Sequence, residues 1–443
     1  MKKRKGMHYY INISNFDDVV EREEFEDGSV NHSIHALNTF YSTIEWYAKQ
    51  EYGESLVVEK VTGARLHMYI LEDVRKAFEI VKDVSVFALK MASYINTDVS
   101  KYKKLLQLKI KIGACYGLFY DFVFREEDFE EETSIGYAAN YAAKLQMLSD
   151  EGYISISSNV YDELDGKDTD VFSEVHSHRI TKYEQSCFYT AKVVNLYIDK
   201  GSYEKAFRYA DEIIYKTNLA DMNYESARTL ISPNELSMKT IKKVTGIPLF
   251  ADVRGFTEKF DKDDSNLLEM AEKTQEILKA MYSVVKVNGV HIQFQGDREF
   301  ALFHNYSDYK CVTDAVIAAM KIIDRVKGYR VNVGVGESFG TVFASRIGAR
   351  GEKDNILIGR TVSEADRYED DFAKENQLVI SEQIYKMLEQ ANLVLANQFT
   401  RTEEGHYVTE AGYERFCEAV EDEKLSYNNE RKTYNKAWCE QNG

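Results

Sequence analysis

Apolar and polar residues alternate along Val58-Glu59-Lys60-Val61-Thr62-Gly63-Ala64-Arg65, and again along Ile292-Gln293-Phe294-Gln295-Gly296-Asp297-Arg298. Alternation with period two, interrupted by a glycine, predicts two strands joined by a tight turn. Short strands ending in a turn residue are predicted at Tyr10–Phe16 and Phe250–Phe256, each followed by an acidic, helix-like segment. Strand-like runs recur at Tyr153–Ser157 and Leu378–Ser381. Between these sets, Tyr203, Phe207, Tyr209, Ile213 and Ile214 fall at helical spacing. Ser232-Pro233 reads as an N-cap with proline at the first helical position, predicting a helix through Lys242.

The elements repeat in order. The Tyr10 strand matches the Phe250 strand, and the Val58 hairpin matches the Ile292 hairpin. Ile110–Gly117 then matches Val331–Ser338, and Ile135–Asn140 matches Ile358–Ser363. Four matches in one order predict a duplicated α+β domain.

Composition narrows the class. Over 443 residues, a hydrophobic share of 44 % supports two or three domains with sizeable cores. The net charge of -17, with no basic stripe beyond Lys2–Lys5, argues against a protein that tracks nucleic acid. A small polyanion remains admissible where a divalent metal supplies positive charge. Cys115, Cys187, Cys311, Cys417 and Cys439 are scattered without CxxC spacing, the pattern of reduced thiols in a cytoplasmic protein. No apolar run suits a signal peptide or approaches the eighteen residues of a membrane span.

The run Leu249-Phe250-Ala251-Asp252-Val253-Arg254-Gly255-Phe256-Thr257 resembles the first metal motif of class III adenylate and guanylate cyclases. Gln295-Gly296-Asp297 falls where that family carries its second metal aspartate, and Ile358–Val362 with Arg367 resembles its later transition-state segment. The resemblance implies two ferredoxin-like cyclase domains in tandem, forming a pseudo-heterodimer within one chain, so that a monomer suffices. Residues 7–195 become a degenerate domain, 196–244 a helical connector, 245–400 the metal-bearing domain and 401–443 a charged helical tail.

The implied reaction converts a nucleoside triphosphate to a 3′,5′-cyclic nucleotide and pyrophosphate. Two divalent cations, Mn2+ or Mg2+, serve it, and hard carboxylate oxygens suit them. Asp252, Asp297 and the Val253 carbonyl are the implied ligands, with the segment carrying Phe256 and Thr257 close to the phosphates. The first half has Asn12 and Ala64 where the second has Asp252 and Asp297, but carries Asn140 and Lys144 at the transition-state positions. The family arrangement therefore implies one site joining Asp252 and Asp297 to Lys60 and Thr133 as base-readers, and to Asn140 and Lys144. The opposite site, with Asn12, Ala64, Gln293, Ile356 and Ser363, should be dead. Lys182, with Arg179 as runner-up, is the implied phosphate-gripping residue, while Lys144 keeps the charge of the usual arginine without its planar fork.

A lysine donor with a rotating hydroxyl satisfies adenine or uracil. The compact architecture resembles pyrimidine cyclases of bacterial antiphage (Pycsar-type) systems, implying cyclic UMP or cyclic CMP and a downstream effector protein that reads it. Adenylate cyclase activity and a non-catalytic nucleotide-binding scaffold are the alternatives.

Overall fold

Each half folds around a mixed sheet whose central strand ends in the first repeat motif, as a computed structural model shows. It describes residues 1–409 except 127–128, 184, 199–201, 220–221, 228–229, 238–239, 257–264, 305–306 and 349–353, and excludes the side chains of residues 182, 223, 226, 234 and 240. The first half runs β1 (Lys2–Ile13), α1 (Phe16–Asp27), α2 (Asn31–Tyr52), β2 (Leu56–Thr62), β3 (Arg65–Ile70), α3 (Val74–Thr97), β4 (Ile110–Arg125) and β5 (Glu130–Ile135). It continues with α4 (Tyr137–Leu148), β6 (Tyr153–Ile156), α5 (Ser158–Tyr161), α6 (Gly166–Thr169), β7 (Ser173–His176) and β8 (Cys187–Lys192).

After α7 (Glu204–Lys216) and β9 (Asn223–Ser226), the second half runs β10 (Thr240–Arg254), α8 (Leu267–Val285), β11 (Val290–Gln295), β12 (Arg298–Phe303) and α9 (Asp308–Lys327). Then come β13 (Asn332–Glu337), β14 (Gly340–Ile347), β15 (Asp354–Ile358), α10 (Arg360–Arg367) and β16 (Gln377–Ile380). Last are α11 (Glu382–Ala391), α12 (Leu393–Ala396), β17 (Thr400–Arg401) and β18 (Tyr407–Thr409).

The two sheets have one topology. The first is ordered β2-β3-β1-β4-β6-β8-β7 with β5 beside β4, and the second β11-β12-β10-β13-β16-β18-β17 with β14 and β15 in the places of outer β4 and β5. Even the irregularities coincide. The β2–β3 ladder slips between Val58 and Lys60, and the β11–β12 ladder slips between His291 and Gln293. Both hairpins turn on a glycine with positive φ, Gly63 at +57° and Gly296 at +73°, where a side chain would be strained.

The halves exchange apolar residues. Phe122, Phe124 and Ile135 of β4 and β5 belong to the core of the second half, while Phe343, Ile347, Ile356 and Ile358 of β14 and β15 belong to the core of the first. Each such burial contributes roughly 1.5–3 kcal/mol, so the pseudo-dimer is held by its own hydrophobic core.

The connector contains α7 at the expected spacing, with Tyr209 stacked on Trp46 of α2 at 4.9 Å. The helix expected from Ser232 through Lys242 does not form. Pro233–Glu235 makes a single 3-10 turn, and Thr240 already begins β10. Here Lys242–Gly246 pairs with Gly340–Ala344, and Thr240–Lys243 with β9, so cross-strand pairing of the β-branched Ile241, Val244 and Thr245 overrides the local capping signal. Nor is the tail helical from its start: Thr400–Arg401 and Tyr407–Thr409 are strands, β18 pairing with β16. Residues 410–443 lie outside the described residues. Among the described residues, no helix is long and apolar enough to cross a membrane.

One carboxyl in the second core is unusual. Glu337, fully buried in β13, has no hydrogen-bond partner for either side-chain oxygen among the described residues, and burial pushes its carboxyl up to about 8. A carboxyl raised in the folded state makes native protein bind the extra proton, so stability falls as pH rises from 4.5 towards 8. Glu337→Gln should therefore match the wild type near pH 5 and exceed it by roughly 3–5 kcal/mol near pH 8.5. Urea unfolding of both proteins at the two pH values checks this.

Candidate active site

Asp252 sits two residues before the end of β10, opposite Arg298 in the β10–β12 ladder. Asp297 occupies the β11–β12 turn beside Gly296, so the hairpin brings the second carboxylate back to the first. Val253 pairs with Val333 of β13, and Phe256 is buried in the second core, which leaves its backbone rather than its ring for a ligand. Thr257 lies outside the described residues.

The first half supplies the other wall. Gly136 precedes α4 so close to β4 that a Cβ would meet the Leu118 carbonyl at 2.7 Å, and this contact seats the helix. Asn140 donates its backbone N–H to the Gly136 carbonyl at 3.2 Å in the first turn. Lys144 follows four residues later on the same face. Lys60, Asn140, Lys144, Asp252 and Asp297 all line one cleft of about 310 Å³. Lys182 belongs to the 3-10 turn His178–Tyr183, whose Tyr183 also lines the cleft; the Lys182 side chain lies outside the described residues, and Arg179 of the same turn is exposed and does not line the cleft.

The electrostatics are those of an acid pair in need of a cation. Enclosure by protein and the Asp297 charge push Asp252 up to about 7, against the lowering influence of Arg298 and Arg254. Arg254 approaches the Asp252 carboxylate at 3.3 Å, yet its guanidinium is mainly held by Glu369 and the Ala373 carbonyl. A hard carboxylate raised by the charge of a second beside it fits a Mg2+ or Mn2+ ion, which would offset that repulsion. A separate group, Glu23, Asp27 and His32, is close enough to gather a metal, but Glu23 already accepts from the backbone N–H groups of His32 at 2.9 Å and Ser33 at 2.8 Å at the start of α2.

The base end departs from expectation. Lys60, almost fully buried, donates to Glu131 at 2.6 Å and to the Phe294 carbonyl of the second half at 3.1 Å. Thr133 is not among the cleft-lining residues; it is buried, and its hydroxyl has no hydrogen-bond partner among the described residues. Side chains alternate along β5, and its neighbour Ser134 lines the cleft instead. Ser134 donates its hydroxyl, and its N–H at 3.0 Å, to Glu59, which also faces His67 at 3.3 Å. Although burial would raise it, His67 and Lys60 hold the Glu59 carboxyl down at about 2.

Sequence reading also missed a buried charge chain. Glu131 faces Nε2 of His291 at 3.3 Å and accepts from the Phe294 N–H at 3.0 Å, while His291 Nδ1 meets Glu299 at 2.7 Å. Burial would lower the His291 imidazole, but Glu299 and Glu131 raise it to about 9. The signal was present in the strand at Val290–Gln295, where a histidine stands among apolar positions.

The duplicated counterpart cavity, about 360 Å³, is lined by Ser363 and Arg367 with Asp17 and Glu21 of α1. Asp17 is pushed up to about 6 by burial and by Asp366. Where the second half has Asp252 on its central strand and Asp297 on its hairpin, the first half has Asn12 and Ala64 at the matching positions, since Asn12 pairs with Arg65 as Asp252 pairs with Arg298.

The model of the adenylate and guanylate cyclase catalytic domain matches residues 7–189 and 236–420. The chain belongs to this family. It is built from two class III nucleotidyl cyclase domains in tandem. A class III adenylyl cyclase-like ATP-binding protein from Pseudomonas aeruginosa shares its fold along nearly the whole length: 94 % of this chain and 90 % of that one, with a TM-score of 0.68 and 18 % identity. Single cyclase units match more narrowly. The adenylyl cyclase CyaB from P. aeruginosa covers 38 % of this chain and 93 % of its own at 18 % identity and TM-score 0.32, and the guanylyl cyclase Cya2 covers 38 % and 90 % at 19 % and 0.31. No curated protein sequence matches the chain.

Proposed function

We propose that this tandem cyclase cyclises a nucleoside triphosphate at one site, the cleft between its two domains. The observation that carries this reading is the convergence of Asp252 and Asp297 from one half with Lys60, Asn140 and Lys144 from the other. Two divalent cations, when bound by Asp252, Asp297 and the Val253 carbonyl, would activate the ribose 3′-hydroxyl and neutralise the triphosphate. The Asn140 amide and the Lys144 ammonium hold the reacting α-phosphate from the opposite wall, and Lys182 with the Phe256–Thr257 backbone restrains the outer phosphates. The counterpart cavity is lined by the acids Asp17 and Glu21, whose charge repels a triphosphate, and the first half has Asn12 and Ala64 in place of the two aspartates.

For the base, Lys60 has three N–H donors, two of them given to Glu131 and the Phe294 carbonyl, and it lines the cleft together with the Glu59 carboxylate. Such a donor next to an acceptor suits uracil, cytosine and adenine. A pyrimidine cyclase in antiviral defence, signalling through a cytoplasmic effector, is the reading implied by the resemblance to compact antiphage enzymes. ATP is the alternative, supported by the whole-length neighbour, an adenylyl cyclase-like ATP-binding protein. That neighbour, with lysine rather than arginine at position 144 here, supports a second reading in which the nucleotide binds without turnover. Purified protein offered ATP, GTP, CTP and UTP together with Mn2+ should release pyrophosphate and one cyclic product, identified by mass. Tight binding of a triphosphate with no pyrophosphate released would favour the second reading.

A further inference from the structure

We infer that Arg65 is a phosphate-binding residue of the cleft, supplying the planar guanidinium fork that Lys144 lacks. The inference rests on the proposed cyclase reading of that cleft. The duplication provides an internal control. Arg65 opens β3 as Arg298 opens β12, and each registers opposite the strand residue at the first metal position, Asn12 or Asp252. In the second half the arginine is consumed: Arg298 pairs with Asp366 of α10 at 2.5 Å and with Glu369. In the first half those two acids are gone.

The correspondence is set by packing. Gly336 lies against the Ala365 carbonyl and the Glu369 backbone, and Gly113 lies in the same way against the Ala142 carbonyl and the Gln146 backbone. Glu369 thus corresponds to Gln146, and Asp366, three residues earlier, to Ala143. Neither Ala143 nor Gln146 can neutralise a guanidinium. Arg65 makes no ion pair among the described residues, its buried Nε lacks a hydrogen-bond partner, and it lines the cleft beside Asn140 and Lys144. Asp252, Asp297, Asp366, Glu369 and Asp370 line the same cleft. A triphosphate entering so acidic a space needs cationic groups not already committed to carboxylates, and Lys60 is committed to Glu131. Guanidinium binds phosphate oxygens through two parallel N–H donors, which an ammonium such as Lys144 cannot do.

The test compares wild type with Arg65→Gln, Arg65→Lys and the double variant Arg65→Gln/Lys144→Arg, using Mn2+ and whichever nucleotide the wild type cyclises. Arg65→Gln should lower kcat/KM on the order of 10²-fold with an unchanged melting temperature. Arg65→Lys should recover less than about a tenth of the loss. Lys144→Arg in the Arg65→Gln background should restore at least about tenfold, because it returns a fork to the same phosphate wall. Inorganic tripolyphosphate should inhibit Arg65→Gln at least about tenfold less well than wild type, a readout that base recognition and turnover do not enter. Wild-type kcat/KM in Arg65→Gln overturns the inference while leaving the cyclase reading in place. So does a loss that accompanies a lower melting temperature, with unchanged tripolyphosphate inhibition and no rescue by Lys144→Arg. A wild type that neither binds nor turns over any of the four nucleotides overturns both.

Discussion

Asp252→Ala should reduce cyclic nucleotide formation on the order of 10³-fold, while Asn12→Ala should leave it within about twofold. The two residues hold equivalent register positions, each opposite an arginine at the start of the next hairpin arm. Asp252 shares its cleft with Asp297, whereas the first half has Asn12 and Ala64 at the matching positions, so on the proposed reading only the loss of Asp252 removes a metal ligand and the charge stabilisation that goes with it. A stability measurement separates this loss from misfolding. The Asp252 carboxyl is raised to about 7 by enclosure and by Asp297, so its ionised form is a cost to the metal-free fold. The melting temperature of metal-free Asp252→Ala should therefore equal or exceed that of the wild type. Mn2+ should stabilise the wild type and fail to stabilise the variant, as expected for a ligand that binds only the intact native site. Equal losses of activity at Asn12 and Asp252 would reverse the assignment of the halves.

The second large effect is expected at Glu131. This carboxylate lies between two buried cations, Lys60 from its own half and His291 from the other, and accepts the Phe294 N–H as well. Glu131→Ala would leave Lys60 without its ion-pair partner and His291 with Glu299 alone, and breaking a buried pair in this way costs about 3–5 kcal/mol. Because the chain of charges bridges the halves, the loss should appear as a lower denaturation midpoint for the whole molecule rather than for one domain. Replacing Lys60 by Met together with Glu131 by Leu should cost less than Glu131→Ala alone, since no charge is then stranded. If the single and double variants were equally destabilised, charge pairing would not be the stabilising feature.

The His291 arm has its own pH signature. Its imidazole is raised to about 9, above the unfolded value of 6.5, so its contribution is fully present below pH 6.5 and is lost as pH rises through 9. The deficit of His291→Gln relative to wild type should accordingly be greatest near pH 6 and shrink towards pH 9.5. For catalysis, freeing Lys60 from Glu131 should raise KM more than it lowers kcat, because Lys60 is proposed to read the base and not the reacting phosphate.

Much of this molecule is legible in its residue pattern. Alternation around Gly63 and Gly296 specifies both hairpins, because a tight turn with positive φ between strands needs little beyond local chemistry. The ordered recurrence of four motifs specifies the duplication, and Asn12 and Ala64, standing where the second half has Asp252 and Asp297, are the reason the proposed metal site is assigned to the second half. These are statements about residue type at a register position, and register survives in the linear sequence. Helix α7 was likewise visible from spacing alone, since its apolar stripe docks on α2 without altering its period.

Tertiary structure decided the rest. The segment after Pro233 carries a good helix start, but Thr240–Gly246 is claimed by strands β14 and β9, from chain segments on both sides of it, and nonlocal pairing outweighs a cap. Thr133 and Ser134 are adjacent in sequence, and only the pleat of β5 determines that the serine faces the cleft. The partners of Lys60 could not be read from its surroundings in the chain: Glu131 lies 71 positions away and Phe294 lies 234, joined only when the halves close. Arg65 and Arg298 look alike in sequence, yet Arg298 pairs with acids of its own domain and Arg65 makes no ion pair among the described residues. Sequence determines which groups are available; folding sets their distances and burial, on which charge interactions in a protein interior depend.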